Sequence, residues 1–459
     1  MTKNRKKDKN NSTGEKMKIQ LSEHFTYKKL IKFTMPTIIM MIFTSLYGVV
    51  DGIFVSNIIG SDAFAAINLI WPFIMILGSL GFMIGTGGSA LVSKTIGEGN
   101  KEKANEYFSM LIYVLIIAGA ILTILGMFLM KPISILLGAE GNMINYCVTY
   151  GRCILISLIP FLLQNCLQSF FVVAEKPKMG LIISIAVGLT NIIFDTIFIY
   201  FLQMGILGAA LATAISQTVG GVSSLIYFIR KNDSPLYLTK AKFDGKAIIQ
   251  ASINGSSEML TNVSLSLVNM LYNSQLMKIV GPNGVVAYGI IMYISFIFIS
   301  TFIGYSLGSA PIISYHYGAG DKKELRSLLG KSLKLITITS IAMTFFAEIF
   351  AEPLASIFVG YDKELLDMTT TAIRIYSLSN LIIGFNIFAS AFFTALNNGV
   401  VSAIISFLRT LLFQIAMIFI LPAIWGLNGI WLAVVVAEIL AIIVSGIFVV
   451  TNQKRYGYA

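Results

Sequence analysis

Charge is scarce in this sequence: Asp, Glu, Lys and Arg make up 12 % of 459 residues, against about 25 % in an ordinary soluble domain. With 56 % hydrophobic residues, such a chain cannot clothe itself in a water-soluble surface. Histidine and cysteine are scarcer still. His24 and His316 both fall at predicted helix margins, so metal catalysis has no ligand cluster to work with. Cys147, Cys153 and Cys166 fall in one predicted helix without a CxxC spacing, which suggests neither a disulfide framework nor a zinc site. No cofactor is expected.

What is abundant is long apolar runs. Stretches of about 20 residues, enough to cross a hydrocarbon core of about 30 Å, recur along the whole chain. They are placed at 31–59, 63–90, 106–130, 143–172, 178–202 and 207–229, then at 246–276, 285–312, 328–350, 366–396, 399–422 and 427–450. The expected fold is therefore an all-α membrane protein with twelve transmembrane helices.

The two halves repeat one another. GTGGSALVSKTIGEGNKEK, from Gly85, returns as GYSLGSAPIISYHYGAGDKKE, from Gly304, and GILGAALA from Gly205 returns as GLNGIWLA from Gly426. An even number of helices per copy brings the chain back to its starting side. The copies then share one orientation, as two six-helix bundles related by pseudo-two-fold symmetry along the membrane normal, with a cavity between them. The expected organisation is a basic tail over 1–27, a first lobe over 28–232, a linker over 233–245 and a second lobe over 246–459. The linker, the longest polar interruption after the tail, is expected to tolerate some change in length.

The formal charge of +11 does not require nucleic acid. Lys131, Lys278 and Lys363 fall on the outer side, whereas most of the 33 Lys and Arg lie in the tail, inner loops, C-terminus or membrane margin. That is the positive-inside bias of a multi-pass protein with both termini in the cytoplasm. The tail, with Lys3, Arg5, Lys6, Lys7 and Lys9, lacks the apolar core of a removable signal peptide and is expected to meet anionic lipid.

Four acids lie well inside a crossing: Asp51, Asp195, Glu258 and Glu438. A charge at such depth costs about 2.5 to 3.5 kcal/mol on insertion scales, so a function is the default expectation. Counting from helix ends places Asp51, Asp195 and Thr213 about 9 to 12 Å below the outer surface. Asn191, four residues before Asp195, shares its helix face. Two carboxylates, an amide and a hydroxyl supply hard oxygen ligands for Na⁺, or two acids that share a proton. The competing reading is that the acids merely satisfy neighbouring hydroxyls. Glu258 sits in the polar-rich SINGSSEMLTNVSLS and is expected to face the cavity, as a substrate counter-ion or second protonation site. Glu438 has two readings, a further cation or substrate group or a partner neutralised by Arg409. The glycines of the second and eighth helices, Gly78 to Gly88 and Gly304 to Gly308, read as close backbone packing before ligand contact.

These features together resemble the multidrug and toxic compound extrusion (MATE) family, over about residues 28–452. The carrying segments are FTMPTIIMMIFTSLYGVVDGIFVSNIIG, with Pro36 and Asp51, then LQSFFVVAEKPK, NIIFD and GAALATAIS. The resemblance implies that Asp51, Asn191, Asp195 and Thr213 form a cation site, that helix one bends at Pro36, and that Glu258 is the acid some members use for coupling. No clear acid stands in helix ten, which favours the first-lobe site. It implies a monomeric efflux antiporter of the plasma membrane, not an enzyme, exporting drugs or organic cations against Na⁺ or H⁺. A flippase for lipid-linked saccharides is the alternative within the superfamily, although its anionic cargo calls for basic rather than acidic cavity groups. An intramembrane aspartyl protease using Asp51 and Asp195 is the rival from another class, but neither acid stands in the GxGD motif such enzymes share.

Overall fold

The computed structural model describes residues 19–230 and 232–458, so the basic residues expected to touch lipid before residue 19 lie outside it. The described chain is helical nearly throughout. The first lobe holds α1 (Tyr27–Phe54), α2 (Ser61–Gly97), α3 (Lys101–Leu136), α4 (Asn142–Ile156), α5 (Leu158–Val173), α6 (Pro177–Asp195) and α7 (Gly205–Ile229). The second holds α8 (Gly245–Ile279), α9 (Pro282–Gly318), α10 (Lys322–Val359), α11 (Lys363–Ser377), α12 (Asn380–Ala395), α13 (Gly399–Phe407) and α14 (Phe413–Tyr456). Three widened π turns interrupt this pattern, at Val55–Ile59, Thr196–Phe201 and Leu408–Leu412.

These elements make twelve crossings, six in each lobe. The fourth and tenth are bent rather than single helices: α4 meets α5 at 59° and α11 meets α12 at 46°. In the first of these, Pro160 has no N–H to continue the ladder, and Ser157 instead donates to the Gln217 side chain at 2.9 Å. The eleventh and twelfth crossings run through one nominal helix that reverses at Gly426, whose φ of 56° few other residues adopt. Gly205, at φ 59°, makes the matching reversal in the first copy. Exposed Ile117, Ile121 and Phe128 on α3, and Ile338, Ile341 and Phe345 on α10, turn an apolar belt outward, as hydrocarbon requires.

The helix ends repeat as the sequence does. Asn100 caps α3 by accepting from the Lys103 amide, and Asp321 caps α10 by accepting from the Glu324 amide at 3.0 Å. Both stand on the face that carries the chain ends, the terminal face.

The lobes close on each other in the half nearest that face. There α2 packs against α8 and α9, and α1 packs against α9. The approach is backbone to backbone: a methyl on Gly87 would stand 2.0 Å from the Ala251 carbonyl oxygen, and one on Gly255 would stand 1.8 Å from that of Met83. Gly304 and Gly308 meet Ile38 and Thr37 of α1 in the same way, and Ser93 donates to the Pro311 carbonyl at 2.7 Å. Gly78, Gly81, Gly85 and Gly88 instead admit α3 and α5 within the first lobe.

The linker, expected to tolerate some change in length, is bound along α3. Asn105 of α3 accepts from the Tyr237 amide at 2.8 Å and donates to the Pro235 carbonyl, and Ser109 accepts from the Thr239 amide at 2.8 Å. Leu236 is fully buried in the first-lobe core. The segment is zipped along α3 because its own backbone groups need partners, and the polar side chains of α3 supply them.

Gly87→Ala is expected to overpack the seam and cost about 1–3 kcal/mol, read as a lowered thermal midpoint of the purified protein. An unchanged midpoint would show that the seam yields freely.

Candidate functional site

Asp51 lies in the last turn of α1, immediately before the π turn at Val55–Ile59, and Asp195 closes α6 immediately before the π turn at Thr196–Phe201. Such turns carry an extra residue and recur at functional positions, because the widened ladder re-aims neighbouring groups. The structure brings Asp51, Asn191 and Asp195 together, with Asn191 and Asp195 within interaction range of the Asp51 carboxylate. Asp195 is fully buried and Asn191 nearly so, on one face of α6 as their spacing predicts. Thr213 reaches the same layer from α7.

A fifth member was missed in the sequence. Tyr150 of α4 is buried with its hydroxyl against Thr213, within electrostatic range of both acids. Counting inward from the outer end of the fourth span, as for Thr213 in the sixth, would have found it.

Six polar atoms of this layer make no hydrogen bond among the described residues. Asp51 Oδ1, both Asp195 oxygens, both polar atoms of the Asn191 amide and the Thr213 hydroxyl are buried without a hydrogen bond among the described residues. Buried polar atoms in native proteins are nearly always paired, and an orphaned carboxylate oxygen is costlier than an orphaned hydroxyl. Satisfaction by neighbouring hydroxyls is therefore not what the geometry offers. A proton between the acids, or a hard cation held by their oxygens with the Asn191 and Thr213 oxygens, fits this donor set.

Pro36 stands apart from this layer. It lies inside an unbroken α1, about 22 Å along the helix from Asp51. It is buried beside Thr34 and Thr37, where α1 meets Gly308 of α9.

The second lobe treats its charges differently. Glu438 is almost fully buried, and the Arg409 Nε donates to its two oxygens at 2.8 and 3.1 Å. Asn386 donates to the same carboxylate at 2.7 Å and accepts from Ser445 at 2.9 Å. The pairing between Glu438 and Arg409 weighed from the sequence is thus present, and it leaves Glu438 no oxygen lacking a donor. Arg409 sits in the third π turn, so Asp51, Asp195 and Arg409 each adjoin or occupy a widened turn. Glu258, on α8, is half-buried, makes no side-chain hydrogen bond among the described residues and feels the Arg409 charge. Its polar neighbour Asn254 is not cavity-facing: it donates to the Thr394 carbonyl of α12 at 2.9 Å.

Among the described residues no group of three or more His, Cys, Asp or Glu is placed to hold a metal. The three cysteines are free and buried. A GxGD tetrapeptide does occur, at Gly318–Asp321, but its Asp321 caps α10 at the terminal face and does not meet Asp51 or Asp195.

The family model described as MatE matches residues 36–197 and again 258–420, one match per lobe. The multidrug export protein MepA of Staphylococcus saprophyticus is 25 % identical over 432 residues, covering 94 % of each chain. That of Staphylococcus haemolyticus is 24 % identical over 433 residues, 94 % of this chain and 95 % of its own. Among solved structures, MATE in complex with MaL6 superimposes with a TM-score of 0.90 at 23 % identity, covering 95 % of this chain and 98 % of its own. The outward-facing conformation of a multidrug resistance MATE family transporter of the MOP superfamily gives 0.89 at 24 %, with the same coverage.

Arg409→Ala is expected to strand the Glu438 charge and cost about 3–5 kcal/mol, whereas the double variant Arg409→Met with Glu438→Leu recovers most of that loss. Thermal unfolding of both in detergent checks it, and equal losses would mean that the pair is solvated.

Proposed function

The chain belongs to the MatE family, and we propose that it is a secondary active multidrug efflux antiporter, exporting amphipathic organic cations in exchange for Na⁺ or H⁺ by alternating access. The observation that carries the antiport reading is the buried pair Asp51 and Asp195, of which Asp51 Oδ1 and both Asp195 oxygens find no donor among the described residues. The staphylococcal relatives, named for multidrug export, support drugs as cargo.

In this reading Na⁺ or a proton settles between Asp51 and Asp195, with the Asn191 and Thr213 oxygens beside it and Tyr150 closing the layer. Neutralising the pair removes the repulsion between the ends of α1 and α6. The two acids can then approach, and the π turn after each takes up the change. The drug is released as the first-lobe wall reshapes, the seam between α2 and α8 opens, and the ion leaves toward the other side. Ion and drug are coupled only by their different affinities in the two states. Glu258, unbonded and half-buried, is the second-lobe acid suited to meet a cationic drug, while Glu438 serves its own lobe through Arg409.

The terminal face carries Lys29, Lys32, Lys101, Lys322, Lys323, Lys454 and Arg455, which supports its assignment to the cytoplasmic side of the plasma membrane. We read the protein as a monomer. The flippase alternative needs free basic groups for an anionic cargo, and the Arg409 Nε already serves Glu438.

The test is dye export in everted vesicles under a Na⁺ gradient and a pH gradient imposed separately. Wild type is expected to respond to one of them, and Asp51→Asn to lose that response by roughly tenfold or more. Equal export by the variant under both gradients would remove the site from the coupling step.

A further inference from the structure

Where the linker meets α8, the terminal face holds a cavity of about 610 Å³ that is cationic on one side and apolar on the other. Lys103 of α3, Lys242 and Phe243 of the linker, and Lys246 and Ile249 of α8 line it. The two acids beside them are already engaged. Glu106 lies 3.5 Å from Lys242, and Asp244 caps α8 by accepting from the Lys246 and Ala247 amides. Lys103, its ammonium 5.3 Å from the centre of the Tyr107 ring, and Lys246 have no carboxylate in ion-pair range among the described residues. One belongs to each lobe. Two uncompensated cations on one cavity call for an anion.

The apolar side narrows the choice of anion. Phe243, in a polar connection, is 83 % exposed, and Ile249 is 61 % exposed. Ile249 and Ile253 follow Lys246 by three and seven residues on one face of α8, so about 4.5 and 10.5 Å of helix separate the ammonium from two outward apolar side chains. On the other flank of that face a second cavity, of about 340 Å³, runs past Ile253, Asn398 and exposed Val400. The two cavities share Lys246 and Ile249. A soluble anion would satisfy the lysines and leave these walls wet, and an organic cation would be repelled by them. A phospholipid carries both parts.

We propose that this corner is a binding site for an anionic phospholipid, its phosphate held by Lys103 and Lys246 and its two acyl chains lying along the two flanks of Ile249. The phosphate oxygens accept from both ammoniums, while Phe243 and Ile249 cover the glycerol and the first methylenes. Because the two lysines belong to different lobes, the bound lipid joins the lobes through its head. The site uses none of Asp51, Asp195 or Glu258, so it stands or falls separately from the antiport reading.

The experiment is native mass spectrometry of the purified full-length protein, titrated in detergent with phosphatidylglycerol and, in parallel, with phosphatidylcholine of the same acyl chains. Wild type is expected to bind its first phosphatidylglycerol about twentyfold more tightly than its first phosphatidylcholine. Lys103→Gln with Lys246→Gln is expected to weaken phosphatidylglycerol by about twentyfold and to leave phosphatidylcholine unchanged. Lys103→Arg with Lys246→Arg keeps both charges and is expected to stay near wild type. Lys322→Gln with Lys323→Gln removes as much charge from the start of α10 on the same face, and the first phosphatidylglycerol is expected to bind it as tightly as wild type. Glycerol 3-phosphate at millimolar concentration is expected not to displace the lipid, since it has no chains. Should the double glutamine variant fail to purify, Lys246→Gln alone is expected to weaken phosphatidylglycerol by about fivefold. Phosphatidylglycerol binding unchanged by the glutamine substitutions, an equal loss in the α10 pair, or displacement by glycerol 3-phosphate overturns the proposal.

Discussion

An ionised oxygen inside a helical bundle wrapped in hydrocarbon must find a compensating charge, and this chain meets that demand in two ways. In the second lobe the compensation is built in: Glu438 holds Arg409 and takes a further donor from Asn386. In the first lobe Asp51 and Asp195 are left facing each other, with an amide and a hydroxyl equally unengaged. One lobe carries its counter-ion covalently, while the other, in the proposed reading, takes one from solution. The two copies have diverged in electrostatics while keeping the same helical frame.

That frame explains how the acids come to meet. Asp51 and Asp195 belong to helices far apart in sequence, and each stands at the last regular turn before the ladder widens. A regular helix is stiff and would transmit a small displacement over its whole length. The widened turns stand at the ends of α1 and α6, immediately after the two acids, where they can confine such a displacement in the proposed cycle. The seam is left to tight packing between glycines, a contact suited to being fully made or fully broken.

Much of this was legible in the residues. The repeat from Gly85 to Gly304 and from Gly205 to Gly426 announced two like lobes, because turns and close backbone contacts demand glycine at fixed places. Asp51, Asp195 and Thr213 were assigned to one layer by a constant rise per residue, and Asn191 joined them through its four-residue spacing from Asp195. Tyr150 escaped because tyrosines are common here, and its significance lies in a contact with Thr213 rather than in its type. The bends within the fourth and tenth crossings escaped because apolar runs read as continuous; only Pro160 marked the first. The burial of residues 19–26 escaped because Leu21 and Phe25 are isolated apolar residues in a polar stretch, and nothing local reveals that they join a cluster with Leu325 and Leu328 of α10. The zipped linker was hidden for a related reason: the side chains that bind it, Asn105 and Ser109, belong to α3.

That zipped linker bears on how the molecule can bend. The Asp244 amide is held by the Met110 sulfur at 3.1 Å, one residue before α8 begins, so the first helix of the second lobe starts from an anchor on the first. Rigid halves joined at such a corner cannot separate evenly. The corner acts as a fulcrum, and any widening at this end of the molecule grows with distance from it, like a door swinging on one jamb.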